Sequence, residues 1–177
     1  MESFVDLLDY PVCVVTAAAD GEAEGERERA GCLVGFASQC SIRPVRFMVW
    51  LSKANRTFRV ARSAERLAVH LLGPDQYALA ELFGGETGDS VDESGERVDK
   101  FSRAPWTPGP GGVPVLDGAL AWFVGRVEGL TDAGDHVGFL LSPVAGSDEA
   151  SGRAGRTGQE PLRLSDVGGI TAGHPVD

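Results

Sequence analysis

Three stretches of this chain combine residue types that can do chemistry together. The first is Leu51-Ser52-Lys53-Ala54-Asn55-Arg56-Thr57, where an apolar run gives way to hydroxyl, amide and cationic side chains and then to a helical pattern. A helix start exposes N–H groups with no partner inside the helix, and anions are stabilised there. Ser52, Asn55 and Thr57 add side-chain hydrogen-bonding groups, and Lys53 and Arg56 add positive charge in an acidic chain, so the segment suits a phosphate. Capping by Asn55 or Thr57 explains one of these residues, but not the two cations beside them. The second stretch is Gly31 to Ser41 (G-C-L-V-G-F-A-S-Q-C-S), where small and hydroxyl residues crowd the end of a strand. Backbone N–H groups there can approach a planar or anionic ligand closely. A tight bend of a small barrel would use the same residues. The third is Ala133-Gly134-Asp135-His136, a turn followed by a histidine that begins a strand rather than filling an apolar face.

Other constellations fail on spacing. The acidic residues Glu86, Asp89, Asp92, Glu93 and Glu96 lack the pattern of a calcium loop and read as solvated surface. His70, His136 and His174 are too scattered for a zinc site, so no metal is expected. Cys13, Cys32 and Cys40 form neither an even framework nor a C-x-x-C pair, and Cys32 and Cys40 read as structural thiols rather than nucleophiles. No Ser-His-Asp arrangement is present, no G-x-G-x-x-G follows the first strand, and there is no P-loop.

The elements that must position these residues read as short strands and turns. Expected strands are residues 12–17, about 30–36, 46–51, 67–72, about 119–128 and 136–144, the last two forming a hairpin around Asp132-Ala133-Gly134-Asp135. Val12 to Ala17 is an almost unbroken β-prone run, which implies burial on both faces. Short helices are expected near residues 2–9, 57–64 and 76–83. The charged stretch 20–29, the acidic stretch 84–99 and the Pro- and Gly-rich stretch from Trp106 read as exposed connections. Together these point to an antiparallel barrel, mainly β, of about six strands with two or three short helices. One domain over residues 1–146 is expected, followed by a polar linker and C-terminal arm over 147–177 that needs a partner surface.

Composition narrows the function classes. The 177 residues carry 26 acidic and 16 basic side chains, a net charge of −10 that argues against nucleic-acid binding. Apolar residues make up 42%, enough for a real core, and no run is long enough for a membrane span. The first residues lack the basic end and apolar run of a signal peptide. A cytoplasmic protein with reduced thiols is therefore expected.

Taken in order, the V-V-T-A strand, the G-x-x-V strand with its small-residue segment, W-L-S-K-A-N-R-T, L-A-V-H-L-L, D-Q-x-A-L-A, D-K-F, P-V-L-D-G-A-L-A-W and G-D-H resemble the flavin reductase-like proteins with the FMN-binding split β-barrel fold. The likeness runs from about residue 8 to 146. It implies a homodimer that binds FMN or FAD, reduces it with NADH or NADPH, and uses the reduced flavin on site or hands it to a partner flavin-dependent monooxygenase. By position, Val34, Gly35, Phe36, Ala37 and Ser38 would line the flavin ring, largely through backbone groups. Leu51 to Thr57 would hold the ribityl chain and phosphate, with Ser52, Asn55 and Thr57 as contacts and Lys53 or Arg56 supplying charge. Lys100 and Phe101 would approach the flavin after the acidic loop, and His136 would face the ring edge or the nicotinamide. Gly35 and Phe36 stand where the family often has Ser or Thr, Arg43 where it is often acidic, and Val45 in place of a frequent second proline. A binding protein of the same fold that holds FMN without turnover is the rival reading. A third keeps the barrel but gives it heme or a deazaflavin.

Overall fold

The computed structural model describes residues 2–21, 23–86, 89, 91, 93–95, 97, 99–147 and 159–173. The β-branched and apolar runs form β1 (Cys13–Asp20), β2 (Arg27–Val34), β3 (Ala37–Ile42), β4 (Val45–Ser52), β5 (Arg66–Leu71), β8 (Ala121–Asp132) and β9 (His136–Gly146). These seven pair antiparallel in the order β2-β1-β5-β8-β9-β4-β3, and a separate hairpin joins β6 (Trp106–Pro108) to β7 (Pro114–Leu116). The helices are α1 (Glu2–Val5), α2 (Arg56–Ala61) and α3 (Tyr77–Gly85). β2 and β3 end the order unpaired with each other, joined through the Gly35–Phe36 bend, so the curled sheet is split rather than closed.

β1 shows why the fold holds. Its alternate residues Cys13, Val15, Ala17 and Ala19 point into the barrel, where they meet Val34, Leu51, Val69, Phe139 and Leu141. On the opposite face Val14, with Val12 just before the strand, packs under Phe83, Leu116 and Leu162. A strand covered on both sides tolerates no regular polar alternation, which is why it reads as a continuous apolar run. Thr16 is its one buried polar residue; its hydroxyl donates to the Pro114 carbonyl at 2.5 Å and anchors the β6–β7 hairpin. α2 plugs the barrel with Val60 and Ala61.

Several expectations need correction. β2 begins at Arg27, inside the stretch read as a solvated connection, and ends at Val34 rather than Phe36. Residues 37–42 are a strand of their own. β3 is an exposed edge of mixed polarity (A-S-Q-C-S-I), and such a segment carries little apolar periodicity. Among the described residues the main sheet has seven strands, in line with the expected barrel of about six. The Pro/Gly-rich stretch contains the β6–β7 hairpin, whose pairing is specified by long-range anchors rather than by local pattern. The described part of the C-terminal segment finds its surface on the chain's own barrel: Leu162 N–H donates to Leu72 O and Leu162 O accepts from Val12 N–H, both at 2.9 Å, burying Leu162 and Val167. Most of the expected linker, residues 148–158, lies outside the described residues, as do His174, Asp92 and Glu96.

Candidate functional site

One side of the site is a rim built where three turns meet. Antiparallel pairing of β4 with β9 sets Ser52 opposite His136. Lys53 N–H donates to Asp135 O at 2.9 Å, while Lys53 Nζ pairs with Asp132 Oδ2 at 2.7 Å. The β8–β9 turn permits this because Gly134 takes φ 104°, a left-handed geometry that favours glycine. Hydrogen bonds from Lys53 and the Gly134 N–H hold the Asp132 carboxyl below its usual range. Asp135 is likewise lowered, first by its hydrogen bond with His136. That bond, His136 Nδ1 to Asp135 Oδ1 at 2.9 Å, requires the ring proton on Nδ1 and leaves Nε2 without a hydrogen-bond partner among the described residues. The Phe36 ring meets the His136 ring edge-on, with centroids 5.4 Å apart. Phe36 is placed there by its bend, whose carbonyl accepts from Trp50 N–H at 3.0 Å.

The loop from Ser52 to Thr57 leads from this rim to a cavity of about 270 Å³ between β2, the start of α2 and residues 99–101. Asn55 caps α2, its Oδ1 accepting from Thr57 N–H at 2.9 Å, so capping does account for Asn55. Arg56 pairs with Glu28 and Asp89. Thr57 is buried, with its hydroxyl at the Cys32 thiol. Burial pushes that thiol up to about 11, so Cys32 stays protonated and inert. Lys100 is only 5% exposed, and its Nζ donates to Gly31 O and Phe83 O, both at 3.2 Å. Burial pulls its pKa down to about 8, opposed by Cys32 and Glu86. Phe101 packs edge-on between Phe83 and Trp106.

The structure therefore gathers Phe36, Ser52, Lys53 and His136 at the rim and Arg56, Thr57, Lys100 and Phe101 at the cavity. Val34 and Leu51 point into the core, so any outward contact they make is through backbone. Ala37 and Ser38 border a different, apolar cavity of about 640 Å³ with Phe47 and Trp122. Packing accounts for two glycines of the small-residue stretch. A Cβ on Gly31 would sit 2.7 Å from the Phe83 ring, and one on Gly35 would sit 2.7 Å from Leu164 Cδ2. Glu28 and Arg29 also line the cavity; the sequence does not point to them, because their charged segment reads as a loop. The period-two spacing of Arg27 and Arg29 was the available signal.

A family model described as "Flavin reductase like domain" matches residues 5–162. The chain belongs to the flavin reductase-like family. Over 113 residues it is 29% identical to the 4-hydroxyphenylacetate 3-monooxygenase reductase component of Salmonella typhimurium, covering 63% of each chain. It is 30% identical over 113 residues to the FMN reductase (NADH) RutF of Klebsiella pneumoniae, covering 64% of each. The chain thus spans less than two thirds of the length of these relatives. The solved styrene monooxygenase flavin reductase of Pseudomonas putida S12 superposes with a TM-score of 0.66 at 25% identity, over 92% of this flavin reductase-like chain and 90% of that one. No helix among the described residues is long and apolar enough to cross a membrane.

Proposed function

We propose that this protein is an NADH- or NADPH-dependent flavin reductase that supplies reduced FMN or FAD to a flavin-dependent monooxygenase. One observation carries the reading: the six-residue run Ser52–Thr57 links a rim holding His136 and Phe36 to a cavity walled by Arg56, Thr57 and Lys100. A flavin has the matching halves, a planar ring and a phosphate joined by a polyol chain. Cations and a buried hydroxyl suit the phosphate, and aromatic side chains beside backbone N–H groups suit the ring. When bound, the flavin supplies a ring that takes hydride from nicotinamide and passes the electrons on.

The chain's own residues then divide the work. Thr57 and Lys100, with Arg56 partly neutralised by Glu28, hold the phosphate. Backbone groups of Val34, Gly35 and Phe36 would line the ring and offer N–H donors to negative charge on it, whereas Ala37 and Ser38 border the separate apolar cavity. Asp135 holds Nδ1–H of His136, so Nε2 would be the atom available to the nicotinamide. Phe36 must leave the His136 edge to admit a second ring. No nucleophile is required, which agrees with the protonated, buried thiols of Cys13 and Cys32.

We also place it in the cytoplasm as a homodimer, supported by reduced cysteines and by Ile42 and Val45, which leave the edge of the sheet 76% and 51% exposed. Light scattering at twice the chain mass is the expected result. The deciding experiment adds FMN and NADH to pure protein and follows absorbance loss at the nicotinamide band. Turnover well above the protein-free rate, lowered roughly 100-fold by His136→Ala, supports the reductase. Tight FMN binding without turnover would move the function to flavin holding, the reading that the Phe36–His136 contact favours.

A further inference from the structure

We propose that the cavity beside Thr57 extends the flavin site to take the second phosphate of FAD, and that Arg29 selects FAD over FMN. The inference rests on the flavin reading above and sharpens it. FMN ends in a single phosphate, which Thr57, Arg56 and Lys100 would hold at one wall. The cavity continues from there along β2 to Arg29. At about 270 Å³ it has room for more than one phosphate.

The charges along this path are not equivalent. Arg56 is neutralised by Glu28 and Asp89, and Arg27 by Asp20. Among the described residues, no carboxylate pairs with Arg29. Its guanidinium instead lies over the Trp106 indole, 4.9 Å from the ring centroid. The indole is itself fixed, because Trp106 Nε1–H donates to Phe101 O at 3.1 Å. Arg29 is thus an exposed cation held against a fixed aromatic plate at the far end of the phosphate wall, with its fork of donors unspent. A guanidinium so held matches a phosphate bidentately and loses little entropy on binding. The acidic groups nearby are engaged locally: Asp99 Oδ1 accepts from Phe101 N–H at 2.9 Å, and Glu26 Oε2 turns into its own hairpin toward Ala23 N–H.

Quenching of flavin fluorescence, with no nicotinamide present, reads the affinity for FAD and FMN separately. FAD is expected to bind about tenfold more tightly than FMN. Arg29→Ala should erase that difference by weakening FAD alone, leaving FMN within about twofold. Arg29→Lys should restore only part of it, because it keeps the charge and loses the planar fork. Equal or tighter binding of FMN overturns the proposal, and so does an Arg29→Ala variant that weakens both flavins alike. Binding of neither flavin would instead bring down the flavin reading on which the proposal stands. Arg29 is exposed, so the variants report on binding rather than folding.

Discussion

His70 and His136 occupy two regions that solve opposite problems with the same side chain. His70 is fully buried beneath the β6–β7 hairpin. Its Nδ1 lies 2.9 Å from the Val14 carbonyl, and its Nε2 accepts from Leu116 N–H at 3.0 Å. A carbonyl on one nitrogen and an N–H on the other leave room for only one proton, so the ring is neutral and pins β5, β1 and β7 together. His136 is at the rim, with a single exposed carboxylate as its partner and an aromatic ring at its edge. Burial with every polar atom satisfied makes the first a fastener. Partial exposure with one nitrogen open makes the second available to a ligand. Residue type alone does not separate the two; the partners do.

The largest expected effect breaks the fastener. Burial lowers the His70 pKa to about 4 from 6.5. Because the folded value lies below the unfolded one, His70's contribution is fully present above pH 6.5 and is lost as pH falls toward 4. Roughly 3 kcal/mol of stability should disappear across that window, read by urea denaturation at a series of pH values. His70→Leu should flatten the acid loss and cost about 3 kcal/mol at pH 7, because the Val14 carbonyl and Leu116 N–H lose their side-chain partner. His136→Ala, in contrast, should stay within about 0.5 kcal/mol of the parent. If both histidines gave the same acid profile, the contrast between pin and rim would collapse.

Lys100 tests whether the buried wall serves the fold or the ligand. Its folded pKa of about 8 lies below the ordinary 10.5 because the ammonium is buried. Its contribution is therefore full above pH 10.5 and declines as pH falls through 8, so at pH 7 the charge is carried at a cost. Lys100→Met keeps the aliphatic stem and removes that charge. The expected result is stability at pH 7 unchanged or higher by about 1 kcal/mol, together with flavin affinity lower by about tenfold. Loss of several kcal/mol with affinity intact would make Lys100 a structural staple for Gly31 and Phe83 and nothing more.

Legibility in the sequence follows the same division. β1, β4, β5 and the β8–β9 hairpin are self-announcing, because apolar runs and a Gly-containing turn specify them locally. The rim residues 52–57 and 134–136 could be named for the same reason: the chemistry is contiguous in the chain. The floor could not. His70 sits in L-A-V-H-L-L, where nothing adjacent reveals that Leu116, 46 residues later, supplies its second partner. β3 does not announce itself, because an edge strand need not alternate. Arg29 reads as part of a loop, because the Trp106 ring it stacks on lies far along the chain, in the β6–β7 hairpin.

The smallest expected effect concerns Gly35, where ligand approach and packing make competing demands. A small residue before β3 suggests a backbone kept open for a flat ligand, yet the space a Cβ would enter is held by Leu164 of the C-terminal segment, at 2.7 Å. The obstacle is the end of a flexible side chain, so Gly35→Ala should cost only about 1 kcal/mol. Leu164→Ala opens that space, and the double variant should recover most of the Gly35→Ala cost, a coupling readable from thermal melts of the four proteins in the cycle. Flavin affinity measured on the same four proteins separates the two demands. If packing alone requires the glycine, affinity returns with stability in the double variant. If the cofactor also needs the bare backbone, stability returns and affinity does not, and the bend belongs to the rim rather than to the tail that covers it.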